Sequence, residues 1–139
     1  MGASILDRLI DDGDAERVDA SSVDAYLDAQ PETATALFFT GDPAKKLETA
    51  DLAVILREIA RGRRGSLRLA VVDRKDEAAL MKAYGVSTLP SAVFMAGRRR
   101  LDVIPKVKDW AVYERKIPEI VADAQKGAQA AAETGVAHG

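Results

Sequence analysis

The sequence predicts an α/β domain: a mixed central sheet with helices on both faces, a three-layer sandwich. Three observations carry this reading. The uninterrupted apolar runs Thr35-Ala36-Leu37-Phe38-Phe39-Thr40 and Leu67 to Val72 read as strands covered on both sides. A segment with apolar residues at helical spacing lies between them, so the crossover rule makes them parallel neighbours. A third run, Ser91 to Met95, follows Leu89-Pro90 and meets Arg99 to Ile104 across Ala96-Gly97-Arg98, a turn tight enough to make this last pair antiparallel.

The elements follow in order. Ile5, Leu6, Leu9 and Ile10 repeat at helical spacing after Ser4, which predicts a short opening helix ending near Gly13. Glu16 to Asp19 reads as a short strand. Ser21 or Ser22 is positioned to cap a second helix through Val23, Tyr26 and Leu27 that ends before Pro31. The first central strand stops at Gly41-Asp42-Pro43. From about Lys46 to Ala60, Leu52, Ile55, Leu56 and Ile59 define a longer helix, and Arg61-Gly62-Arg63-Arg64-Gly65 terminates it. Asp76 to Tyr84 is a helix stopped by Gly85. The last helical region carries Trp110, Val112, Tyr113, Ile117, Ile120 and Val121, with Pro118 marking a kink or a restart. Apolar periodicity fades near Lys126, so residues 1–125 read as one domain and 126–139 as a flexible tail.

Composition excludes whole classes of function. The chain has no cysteine and a single histidine, His138, which argues against zinc or haem; no cofactor and no metal site is expected. No apolar run reaches the roughly 18 residues that span a bilayer, and Met1 to Arg8 lacks the pattern of a secretory leader, so a soluble cytoplasmic protein without membrane insertion is expected. Residues 1–32 hold nine acids against Arg8 and Arg17, a net −7, whereas the remainder nets +5. This acidic N-terminal extension reads first as a solvated face and second as a docking surface for a basic peptide. Arg61, Arg63 and Arg64 with Arg98, Arg99 and Arg100 form two basic clusters. They fall at a helix end and a hairpin turn with few aromatics to stack on bases, so nucleic acid is not an expected partner.

The strand Leu37-Phe38-Phe39, the helix end Ile55-Leu56-Arg57-Glu58-Ile59-Ala60, the close of the next strand at Val72-Asp73, and Tyr84-Gly85-Val86-Ser87-Thr88-Leu89-Pro90-Ser91 together resemble thioredoxin over residues 16–125. In that family the Tyr-Gly-Val segment leads into a cis-proline, here Pro90. Counting back from Ile59, the redox motif falls on Lys46-Leu47-Glu48-Thr49, where neither cysteine is present. Disulfide exchange needs a thiolate and a resolving sulfur, so no catalytic residue is assigned. A cysteine-free thioredoxin-like chain with an acidic start and the ending Ile104-Pro105-Lys106-Val107-Lys108-Asp109-Trp110 resembles the HupG/HyaE family of hydrogenase expression proteins.

That resemblance implies a non-enzymatic chaperone for the precursor of a nickel–iron hydrogenase small subunit and its twin-arginine signal peptide, with other hydrogenase accessory proteins as further partners. The expected peptide-binding residues are Leu89, Pro90 and Ser91, where backbone beside a proline can pair with an extended segment, and Asp11, Asp12 and Asp14, whose carboxylates suit arginine forks. Lys46, Leu47, Glu48 and Thr49 mark the degenerate redox position and read as the start of a helix. Trp110 and Tyr113 read as core or edge packing. Two alternatives stand beside the chaperone. One is a transferase binding glutathione or a peptide, with Thr40, Thr49 or Ser91 activating a thiol. The other is a structural module that forms a homodimer through a sheet edge or an apolar helix face.

Overall fold

Ala34–Phe39 is buried at all six positions, so β2 must be flanked by strands on both edges and covered on both faces. The computed structural model supplies that environment and describes residues 4–138, with side chains through Gly127. In chain order the elements are α1 (Ile5–Asp11), β1 (Glu16–Val18), α2 (Val23–Ala29), β2 (Ala34–Phe39), α3 (Glu48–Gly62), β3 (Leu67–Val72), α4 (Glu77–Tyr84), β4 (Ser91–Ala96), β5 (Arg99–Pro105) and α5 (Trp110–His138). The sheet order is β1-β3-β2-β4-β5. β3 runs parallel to β1 and β2, β4 is antiparallel to β2, and β5 is antiparallel to β4 with an irregularity at Phe94/Met95.

Alternation along β2 divides the interior in two. Ala36 and Phe38 face a core shared with Leu9 of α1, Leu52 and Leu56 of α3 and Tyr113 of α5. Leu37 and Phe39 face the second core, with Leu27 of α2 and Leu80 of α4. The sandwich is therefore α1, α3 and α5 on one side of the sheet and α2 and α4 on the other.

The local signals act as their chemistry dictates, with three departures. Ser4 forms a capping box with Asp7, and Gly85 ends α4 at φ +72°, the left-handed conformation glycine adopts without strain. Ser22 occupies the N-cap of α2 but its side chain caps nothing there. Instead Asp19 accepts from the Ser21 and Ser22 N–H groups at 2.9 and 3.0 Å, because a carboxylate is the stronger acceptor. α3 begins at Glu48, two residues after the expected Lys46. Pro118 lies within one helix and forgoes a backbone hydrogen bond there rather than splitting the element. The backbone stays helical to His138, across the stretch expected to be a tail, and side chains from Ala128 onward lie outside the described residues.

Phe38 is fully buried between β3 and β4, under α3 and α5. Phe38→Ala is expected to destabilise the protein by about 3–5 kcal/mol, read as a lower urea midpoint at an unchanged slope. Val54→Ala, on the exposed side of α3, should leave the midpoint within about 0.5 kcal/mol of the parent.

Candidate functional site

The C-terminal end of β2 and the loop before β4 meet at the N-terminus of α3. Gly41 follows β2 at φ +68°, and a Cβ placed there would lie 3.2 Å from Lys46 Cγ and 3.3 Å from Leu89 Cβ. A left-handed glycine is what allows these two loops to touch. The Leu89–Pro90 peptide bond is cis. The Pro90 carbonyl accepts from Lys106 N–H at 2.8 Å, whereas the N–H and C=O of Leu89 bond to no other described backbone group. The expected redox position and the expected peptide edge are thus one place.

The hydroxyls at this place donate to backbone carbonyls. Thr49, 1% exposed, donates its hydroxyl to the Thr40 carbonyl at 2.6 Å. Thr40 donates to the Gly41 carbonyl at 2.8 Å, and Ser91 to the Thr88 carbonyl at 2.6 Å. All three hydroxyls considered for a transferase have committed their protons to backbone carbonyls. Glu48 faces Lys106 Nζ at 3.5 Å across the loop.

Glu77 is a member of this site that sequence reading missed. It is 4% exposed, accepts from Gly41 N–H at 3.1 Å, and has Arg74 Nε 3.5 Å from its other oxygen. Arg74 in turn lies 3.8 Å from Asp42. A buried carboxylate therefore anchors the turn after β2 from a helix 36 positions later. The only hint in the sequence is an acid in the first turn of a helix, which also describes ordinary capping. Leu47, beside the start of α3, is 86% exposed.

Four carboxylates of the acidic extension are paired with cations elsewhere in the chain. Asp14 forms a fork with Arg61 at 3.0 and 2.7 Å and receives Arg64 at 3.5 Å, with its side chain only 2% exposed. Asp28 forks Arg98 at 2.9 and 2.6 Å, Asp24 approaches the same guanidinium at 3.6 Å, and Asp19 takes Lys75 at 3.3 Å. Asp14 is therefore withdrawn from the candidate docking residues: its carboxylate already holds an arginine of its own chain. In the basic clusters Arg61, Arg64 and Arg98 are paired with these carboxylates while their side chains stay largely exposed. Asp11 and Asp12 are exposed. They lie with Asp14 by the C-terminal end of α3, and Leu89 lies by its N-terminal end, so a helix of about 20 Å separates the two halves of the expected site. A cleft of about 330 Å³ beside Asp14 is lined by Arg61, Arg64, Arg68 and Tyr26, at the end remote from Pro90. A second, of about 220 Å³, runs between α3 and α5 under Trp110.

Fold and site define a thioredoxin-like domain in which the redox position carries no sulfur. Comparison with known proteins agrees. A mutant thioredoxin from Halobacterium salinarum NRC-1 shares the fold at a TM-score of 0.64 and 17% identity, over 87% of this chain and 96% of that one. The sequence model of the hydrogenase-1 expression protein HyaE family matches residues 5–113. The hydrogenase expression/formation protein HupG of Bradyrhizobium diazoefficiens is 39% identical over 82% of this chain and 78% of its own length. HoxO of Azotobacter vinelandii, described in the same words, is 41% identical over 76% of this chain and 69% of its own. A crystal structure of a putative hydrogenase expression/formation protein hupG from Rhodopseudomonas palustris CGA009 matches at a TM-score of 0.55 and 36% identity, over 78% of this chain and 96% of that one. The chain belongs to the HyaE family of hydrogenase expression proteins.

The Asp14 fork carries a pH signature. Its hydrogen bonds from Arg61, reinforced by the charges of Arg61 and Arg64, hold the carboxyl below the usual aspartate range against the opposing effect of burial. A depressed folded value means that this stabilisation is present above the unfolded value of about 4 and is lost as pH falls through the folded one. Asp14→Asn should lower stability at pH 7 by on the order of 1–3 kcal/mol. The loss should shrink towards acid pH, as followed by urea unfolding between about pH 7 and about pH 2.

Proposed function

We propose that this protein serves the maturation of a nickel–iron hydrogenase as a cytoplasmic, non-enzymatic chaperone that holds the small-subunit precursor through its twin-arginine signal peptide. Membership of a family of hydrogenase expression proteins supports the hydrogenase connection. The observation that carries the binding role is the pairing, at the former redox position, of an 86% exposed Leu47 with the unpartnered backbone of Leu89. Such a place can hold an extended apolar segment by main-chain hydrogen bonds and a hydrophobic anchor, and it has nothing with which to cut or oxidise it. Pro90 and Ser91 fix the edge, Lys46, Glu48 and Thr49 form its opposite wall, and Asp11 and Asp12 supply exposed carboxylates for arginine.

Calorimetric titration of the full chain with a synthetic small-subunit signal peptide tests this. Binding is expected, weakening as salt is raised, because exposed charges are screened over about 8 Å at physiological ionic strength. Replacing both Asp11→Asn and Asp12→Asn should weaken it by up to about fivefold per lost pair. No binding by the parent chain at high peptide concentration would overturn the proposal.

A further inference from the structure

Three large apolar side chains stand exposed among the described residues: Leu47 at 86%, Val54 at 41% and Trp110 at 47%. They are not scattered. Leu47 and Val54 are seven positions apart, two turns of helix, and so share one stripe on the outer side of α3. Asp51 and Glu58 fall on the same stripe and are exposed. Trp110 lies across the groove that Glu58 borders, a groove of about 220 Å³ between α3 and α5. Its floor is apolar, made by Ile59, Tyr113 and Ile117, all below 7% exposure. Glu58 and Glu114 stand at its rim against the single cation Arg63.

The pattern along α3 is therefore large apolar groups interleaved with carboxylates, ending at an aromatic face bracketed by two glutamates. It complements a segment that combines arginine with large apolar residues. A guanidinium is attracted to an indole face and donates to carboxylates in the plane of its fork, so Trp110 with Glu58 and Glu114 suits arginine better than any neutral side chain. Glu58 is held only at 3.6 Å by its neighbour Arg57. Glu114 makes no ion pair among the described residues. Within the acidic extension, Asp14, Asp24 and Asp28 already carry arginines of this chain, whereas Asp11 and Asp12 are exposed.

We infer that the outer face of α3 is a docking track for the signal peptide, with a peptide arginine seated on Trp110 between Glu58 and Glu114 and the apolar stretch running past Val54 to Leu47. The inference rests on the function proposed above and gives the peptide a position and a direction. From Gly62 to Leu47 the track is about 22 Å long. It ends beside Leu89 and so joins the two ends of α3 by a continuous surface.

Trp110 is the sole tryptophan, so its fluorescence reports on this groove alone. The test titrates the full chain with a tryptophan-free peptide bearing paired arginines and an apolar stretch, following heat and Trp110 emission together, and repeats it with both arginines replaced by glutamine. The expected result is a saturable emission change with the arginine peptide that is lost with the glutamine peptide. Glu58→Gln with Glu114→Gln should weaken binding about tenfold, and Val54→Ser should weaken it in the same direction with an unchanged thermal melt. Heat of binding with unaltered Trp110 emission and an unaffected double variant would overturn the track and leave the chaperone reading standing. No heat with the parent chain would overturn that reading as well.

Discussion

Everything in this fold hangs on a strand that no solvent reaches. Because Ala34–Phe39 is buried at all six positions, its backbone groups must be satisfied by β3 on one edge and β4 on the other, and its side chains must be covered on both faces. That requirement sets the three layers and splits the core into two. It also delivers the chain at Gly41 to the rim of the sheet, where β2 points at α3 and the loop before β4. At that rim a strand buried along its whole length runs out.

At that end the chain keeps the geometry of a redox domain and abandons its chemistry. Two loops still touch through a left-handed glycine, and a proline still precedes β4. The chain has no cysteine, and Thr49 at the start of α3 turns its hydroxyl inward to a carbonyl. Glu77 ties the same turn from beneath. The result is a hydrogen-bonded frame beside an exposed leucine.

Much of this was legible in the residue order, and the limits follow from physics. Phe38 and Phe39 announce a central strand because continuous apolar runs bounded by turn residues have few other homes. Tyr84-Gly85-Val86 before Leu89-Pro90 marks the loop because glycine and proline constrain the backbone itself. Asp14–Arg61 and Asp28–Arg98 could not be read, since an exposed acid and a paired one look alike until chain segments 47 and 70 residues apart are brought together. The same holds for Glu77, whose burial is a property of the packed turn. The run of acids suggested a free surface, and folding drew Asp14, Asp19, Asp24 and Asp28 into ion pairs. The helical course of α5 past Lys126 shows the converse: alanine, glutamine and glutamate favour helix without an apolar stripe to announce it.

The reach of those ion pairs has a bearing on how the chain comes to be. Asp14, Asp19 and Asp28 leave the ribosome well ahead of Arg61, Lys75 and Arg98, which follow 47, 56 and 70 residues later. Until then the acidic segment repels itself and is poorly suited to collapse or to stick to another copy. Of these partners only Arg98 sits at the turn between β4 and β5, so Asp14 and Asp19 meet theirs before that hairpin is made and Asp28 after it. The order of synthesis thus leaves the charge of the opening segment uncompensated at first and neutralises it in steps as the chain lengthens.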